Sequence, residues 1–167
     1  KSNRGRGGVV ENIFISDIRM TDIPTHAISF DLFYGGQSVS EMLEAEIKDN
    51  LAIAEPVTEE TPRFKNISIN NVTLKGAMQA VFMQGLPEMN LENIRLSNMI
   101  LSADKGFTII DVNGLILENI QLQTKSKMAF EMLSVGNVEF KNVSYNSNDK
   151  SAITVNGIKA VKFLWVR

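Results

Sequence analysis

There is no cysteine anywhere in the 167 residues. Disulfides and thiolate metal sites are therefore excluded. Histidine is nearly absent too, and the single His26 has no neighbouring ligand set that would point to a metal. It follows Pro24 and Thr25, ahead of an apolar stretch, and reads as a loop residue. Charge of one sign is also lacking. Seventeen basic and nineteen acidic side chains leave a net charge of −2. Nothing global then favours nucleic acid or an anionic membrane as partner. No apolar run approaches the roughly 20 residues that span a bilayer. A 44% hydrophobic content argues against disorder.

What is present is a repeat. Five segments align: Val10-Glu11-Asn12-Ile13-Phe14-Ile15, Phe64-Lys65-Asn66-Ile67-Ser68-Ile69, Leu91-Glu92-Asn93-Ile94-Arg95-Leu96, Leu117-Glu118-Asn119-Ile120-Gln121-Leu122 and Phe140-Lys141-Asn142-Val143-Ser144-Tyr145. A degenerate sixth, Ile158-Lys159-Ala160-Val161-Lys162-Phe163, has alanine for asparagine. Apolar residues one and three places after each asparagine give the period of a strand. A second polar step follows in the first three copies, at Asp17-Ile18, Asn71-Val72 and Asn98-Met99. The alternation breaks there and resumes, which marks a corner. Asn and Asp suit corners because they tolerate the left-handed conformation.

A third strand recurs as a small residue followed by apolar-x-apolar. Its copies are Ala27-Ile28-Ser29-Phe30, Ala80-Val81-Phe82-Met83, Gly106-Phe107-Thr108-Ile109, Ala129-Phe130-Glu131-Met132 and Ala152-Ile153-Thr154-Val155. In this alignment Asp31 shares its register with Gln84, Ile110, Leu133 and Asn156. From Asn66 onward the asparagines recur about every 25 residues, a solenoid-like period. Leucine-rich repeats have a similar period but need a consensus that is absent here. An antiparallel sandwich would want glycine-bearing hairpin turns between strands. The residues therefore predict an all-β chain, a parallel β-helix of about five three-stranded rungs plus a partial sixth, forming one domain over residues 1–167.

One interval, Asn12 to Asn66, is about twice the usual period. The excess lies at about 35–62, and its middle carries helix-favouring residues. It reads as a loop or short-helix insertion, functional or simply a surface excursion.

Several segments resemble the polygalacturonase-like pectin hydrolases of glycoside hydrolase family 28, notably their bacterial branch. They are Lys1-Ser2-Asn3-Arg4-Gly5-Arg6-Gly7-Gly8-Val9-Val10-Glu11-Asn12-Ile13, Ile28-Ser29-Phe30-Asp31-Leu32-Phe33-Tyr34-Gly35-Gly36, Pro56-Val57-Thr58-Glu59-Glu60-Thr61-Pro62 and Phe82-Met83-Gln84-Gly85-Leu86-Pro87-Glu88. The resemblance implies a right-handed parallel β-helix and hydrolysis of galacturonic-acid linkages with inversion. That chemistry needs an acid and a base with carboxyls roughly 6.5–9.5 Å apart. The family's Asn-Thr-Asp, Asp-Asp and Gly-His-Gly motifs do not occur in this sequence. By resemblance the chain is the C-terminal part of such an enzyme, with no catalytic residue of its own, and inactive alone. The parent is expected to be periplasmic or secreted.

Substrate-binding candidates are Lys1, Arg4, Arg6 and Tyr34. Lys1 matches the last residue of the family's Arg-x-Lys motif, which binds the substrate carboxylate. The alternative is a frayed terminus. Tyr34 matches a family tyrosine near the reacting sugar, or else packs at a strand end. Arg4 and Arg6 lie among Gly5, Gly7 and Gly8 and could face an anionic chain, or be plain surface charge. Asp17, Asp22, Asp31, Asp104 and Asp111 form no evident acid–base pair.

The expected partner is an acidic polysaccharide, with no metal, cofactor, nucleic acid or membrane. A lyase of the pectate type would call for calcium and oxygen-rich carboxylate clusters. A non-catalytic carbohydrate-binding or adhesin β-helix is the other reading. An uncapped first rung also predicts end-to-end self-association.

Overall fold

The computed structural model describes residues 1–33, 53–146, 152–157 and 163–166. Its elements are strands: β1 (Val9–Asp31), β2 (Arg63–Gln84), β3 (Leu91–Ala103), β4 (Lys105–Thr124), β5 (Phe130–Asn146), β6 (Ile153–Asn156) and β7 (Phe163–Val166). Every pairing is parallel, in the order β1-β2-β3-β4-β5-β6, with β7 on β5 and a further β2–β4 contact. The chain is a parallel β-helix of about four turns.

Each long strand turns corners without losing its ladder. The corners fall where a residue takes positive φ. Along β1 these are Asn12 (57°), Asp17 (62°) and Asp22 (51°). The coil thus has four segments, which stack into four columns. The first is a short one, typified by Val9-Val10-Glu11, that the sequence merges with its successor. Column two holds residues 13–16, 67–70, 94–97, 115–118, 138–141 and 163–166. Column three begins at Ile18, and column four follows the corner at Asp22 and includes Ile28 to Asp31.

Column four keeps the register read from the sequence: Asp31 pairs Gln84, Gln84 pairs Ile110, Ile110 pairs Leu133 and Leu133 pairs Asn156. The asparagine corners do not. Asn66 donates to Asn12 and Asn93 to Asn66 across 54 and 27 residues, as expected. Asn119, however, donates to Asn98 across 21 residues, and Asn142 to Asn119 across 23. These two belong to the second corner, above Asp17 and Asn71. The first corner continues through Gly114 and Asn137, both at positive φ. The cause is a change in coil length. After column four the second coil makes a turn through residues 85–90, while the third has the single left-handed Asp111 before Val112.

The closing copy shifts as well. Residues 158–162 lie outside the described residues. Phe163 pairs Val138, and Trp165 pairs Phe140, so β7 sits over column two rather than over Tyr145. For the insertion, residues 34–52 also lie outside the described residues. Residues 53–62 contain no helix and turn at Thr58, whose carbonyl accepts from the Thr61 N–H. His26 is not in a loop. It lies within β1, beside the irregularity after Ile23, with its ring stacked on Phe82 at 4.8 Å.

The core is the coil's interior. Every second side chain points inward, and stacked mates such as Val81, Phe107 and Phe130 are buried. Phe130 touches the rings of Phe107, Phe140 and Tyr145. The column-two residues of β1 are the exception. Ile13 and Ile15 are 37% and 40% exposed, whereas their mates Ile67 and Ile69 are 5% and 4%.

Candidate functional site at the end of column four

The N-terminal arm, residues 1–8, runs to the place where column four ends. The Ser2 N–H donates to the Asp31 carbonyl at 2.8 Å. The Gly5 and Gly7 N–H groups donate to the Glu60 carbonyl at 3.1 and 2.9 Å, and the Gly8 carbonyl accepts from Arg63 at 3.0 Å. Gly7 has φ of +60°, and a Cβ there would collide with the Glu59 carbonyl oxygen. The glycines flanking the arginines therefore let the arm lie flat against residues 59–60.

Asp31 is buried, and its carboxylate accepts the Phe33 N–H at 2.9 Å. Burial raises its pKa above the ordinary carboxylate value. The Phe33 N–H, the two ammonium groups of Lys1 and the His26 ring oppose that rise. Lys1 is thus within electrostatic reach of Asp31, with its side chain exposed.

Arg4 is held as a clamp. It grips Glu88 with two charge-assisted bonds, Nε to Oε1 at 2.7 Å and Nη2 to Oε2 at 2.8 Å. Its Nη1 pairs Glu55 at 3.0 Å, Nη2 also bonds the Ile53 carbonyl at 3.0 Å, and the guanidinium lies 5.4 Å from the Phe33 ring centroid. Each partner fixes the other's charge: Glu88 raises the pKa of Arg4, and Arg4 lowers that of Glu88. This geometry ties residues 53–55, 85–90 and the arm together. It also balances the Arg4 charge with two carboxylates.

The sequence candidates thus separate. Lys1 and Arg4 gather around Asp31 and Phe33. Arg6 is exposed and makes no ion pair among the described residues. Tyr34, which follows Phe33, lies outside the described residues. Residues not picked out from sequence are Glu88, the partner that fixes Arg4, and Gln79. Gln79 is buried, and its amide donates to Thr108 Oγ1 at 2.8 Å. The signal for Glu88 was a lone acid in a Gly-Leu-Pro-Glu turn, which sequence could not pair with an arginine so distant in the chain.

Carboxylates do little else at this end. At the Asp31 register position the stacked residues are Gln84, Ile110, Leu133 and Asn156. Asp17, Asp22 and Asp111 are corner residues at positive φ, and Asp104 pairs Lys125 at 2.7 Å. Among the described residues no group of three or more His, Cys, Asp or Glu could hold a metal ion. The arrangement presents a cation beside a buried carboxyl group, on a rigid strand end. That suits binding of a carboxylate-bearing ligand at Lys1. No family profile, curated protein or solved structure matches this chain.

Proposed function

We propose that this β-helix is the C-terminal portion of a polygalacturonase-like glycoside hydrolase, acting on galacturonic-acid polysaccharide of the pectin type. Its part is to bind substrate carboxylate through Lys1, while the acid and base of hydrolysis come from residues outside this chain. The parent would work in the periplasm or outside the cell. The observation that carries the reading is the convergence of the N-terminal arm on the end of column four. There Lys1 acts on Asp31, whose carboxylate also accepts the Phe33 N–H. Arg4 serves this reading by holding the arm rather than by touching sugar.

The test is a titration with trigalacturonate followed by amide NMR. Signals of Ser2 and Phe33 should move, and Lys1→Ala should weaken binding about tenfold, the scale of one hydrogen bond to a charged group. Binding indifferent to Lys1, or no binding, would remove the proposal. Release of reducing ends from polygalacturonate by the chain alone would refute the assignment of the acid and base elsewhere. The second reading, a non-catalytic carbohydrate-binding β-helix, rests on the lack of a second carboxyl group at the Asp31 register position.

A further inference from the structure

On the outer face of column one, the stacked residues Glu92, Asn113 and Gly136 shorten coil by coil. Among the described residues the face therefore steps inward to a glycine backbone. A Cβ at Gly136 would come within 3.2 Å of Asn113 Oδ1. The turn carrying Glu88 and Met89 rises beside this recess, and Asn137 closes it. Together they enclose a groove of about 330 Å³. That is at the lower end of small-molecule sites, about 300–1,000 Å³.

We infer that this groove binds a neutral, hydroxyl-rich sugar unit. Its polar groups come as matched donors and acceptors. Asn137 Nδ2 donates to Asn113 Oδ1 at 2.8 Å. Asn113 Nδ2 and Asn137 Oδ1 then carry no hydrogen bond among the described residues. A donor and an acceptor side by side suit a hydroxyl, which gives and accepts at once.

Both carboxylates are neutralised from behind. Arg4 grips Glu88, and Arg63 Nη2 bonds Glu92 at 2.7 Å. Glu92, its side chain 29% exposed, remains able to accept hydrogen bonds without an unbalanced charge, whereas both Glu88 oxygens are held by Arg4. No lysine or arginine lines the groove, so nothing in it offsets the cost of desolvating a uronate carboxylate. Met89 is partly buried against the core and offers an apolar contact for the C–H face of a ring. The preference is thus for an uncharged ligand, unlike that of the Lys1 site, and it does not depend on the function proposed above.

The probes are galactotetraose and trigalacturonate, titrated into the ¹⁵N-labelled chain. Galactotetraose should move the Gly136 backbone amide and the Asn137 side-chain amide, with Kd on the order of 1 mM. Trigalacturonate should move them at least about tenfold less effectively, because its carboxylates would be desolvated with no cation to pair with. Gly136→Asn, which fills the recess, should abolish the shifts. Asn113→Ala, which leaves the backbone unstrained, should weaken galactotetraose about tenfold if one hydrogen bond is lost at this scale. Still signals in the groove with galactotetraose, equal response to both sugars, or full binding by Asn113→Ala would overturn the assignment. Failure of the Lys1 proposal would show instead as silence at Ser2 and Phe33 with trigalacturonate.

Discussion

A left-handed corner in an L-peptide costs roughly 1–2 kcal/mol unless the residue tolerates it. This chain places asparagine at most of its corners, and there the amide gains a second use. From the second coil onward the asparagines donate to an acceptor on the coil before, as Asn66 to Asn12, Asn93 to Asn66, Asn119 to Asn98 and Asn142 to Asn119. Asn119 both donates and accepts, at 2.8 and 2.9 Å. Asn119→Ala should therefore cost about 2 kcal/mol, from backbone strain and lost hydrogen bonds. Asn119→Gly should cost about 1 kcal/mol less, because glycine takes positive φ freely. Urea unfolding midpoints at a common slope would show the order; equal losses would deny the corner its backbone role.

Asp31 gives a pH-dependent counterpart. Its folded pKa is raised by burial from about 3.8. Between that ordinary value and the raised one, folded Asp31 keeps a proton that the unfolded chain has released. Stability therefore falls as pH rises through the window and levels off above it. Asp31→Asn keeps an acceptor for the Phe33 N–H and has no proton to lose. It should melt higher than the parent at pH 7, and the gap should close below about pH 3.8. A gap that persisted into acid would show that the gain is not one of titration.

At the level of elements, strands were legible wherever apolar residues alternate against a fixed inner face. Column four could be stacked residue on residue because Ala27, Ala80, Ala129 and Ala152 open its segments with a small side chain, and apolar-x-apolar follows. The corners were legible as corners but not as a set. Two corners of the same coil have the same local form, asparagine followed by apolar-x-apolar. Asn98 and Asn119 are stacked neighbours, yet Asn119 looks in sequence like a copy of Asn93. Only the ladder decides, and the ladder depends on coil length. The turn at residues 85–90 lengthens one coil, and Asp111 alone serves the next.

The site was less legible for a related reason. Lys1 and Arg4 could be picked out as cations near a glycine-rich arm. That Glu88 and Glu55 would balance Arg4 is a property of how coils stack, since the partners come from different rungs. The same holds for the column-one groove: Glu92, Asn113 and Gly136 form a descending step only once they are placed on successive coils.

The whole molecule has two unlike ends to its stack. Beneath β1, Ile13 and Ile15 expose inward faces that are buried in their mates on β2 to β5, and Phe14 is 82% exposed. At the other end Leu164 and Trp165 are 47% and 45% exposed. Continuing the observed register would place Ile13 on Phe163, Phe14 on Leu164 and Ile15 on Trp165 of another copy. Between the ends, the outward position occupied by Phe14 and Leu164 carries Ser68, Arg95, Ile116 and Glu139. Apolar character is thus concentrated where two copies would meet, and among the described residues the backbone of β1 pairs only with β2, leaving a parallel edge there.

Such a contact is head-to-tail and does not close, so it propagates. On the function proposed above, a further coil of the hydrolase would occupy the same face under β1. The isolated chain should accordingly grow in mass with concentration under light scattering. Phe14→Lys sets a charge on the edge, the usual way an edge strand is protected, and should restore a monomer. A parent chain that scatters as a monomer at every concentration, or a Phe14→Lys variant that associates equally, would mean that the exposed rung tolerates water without a partner.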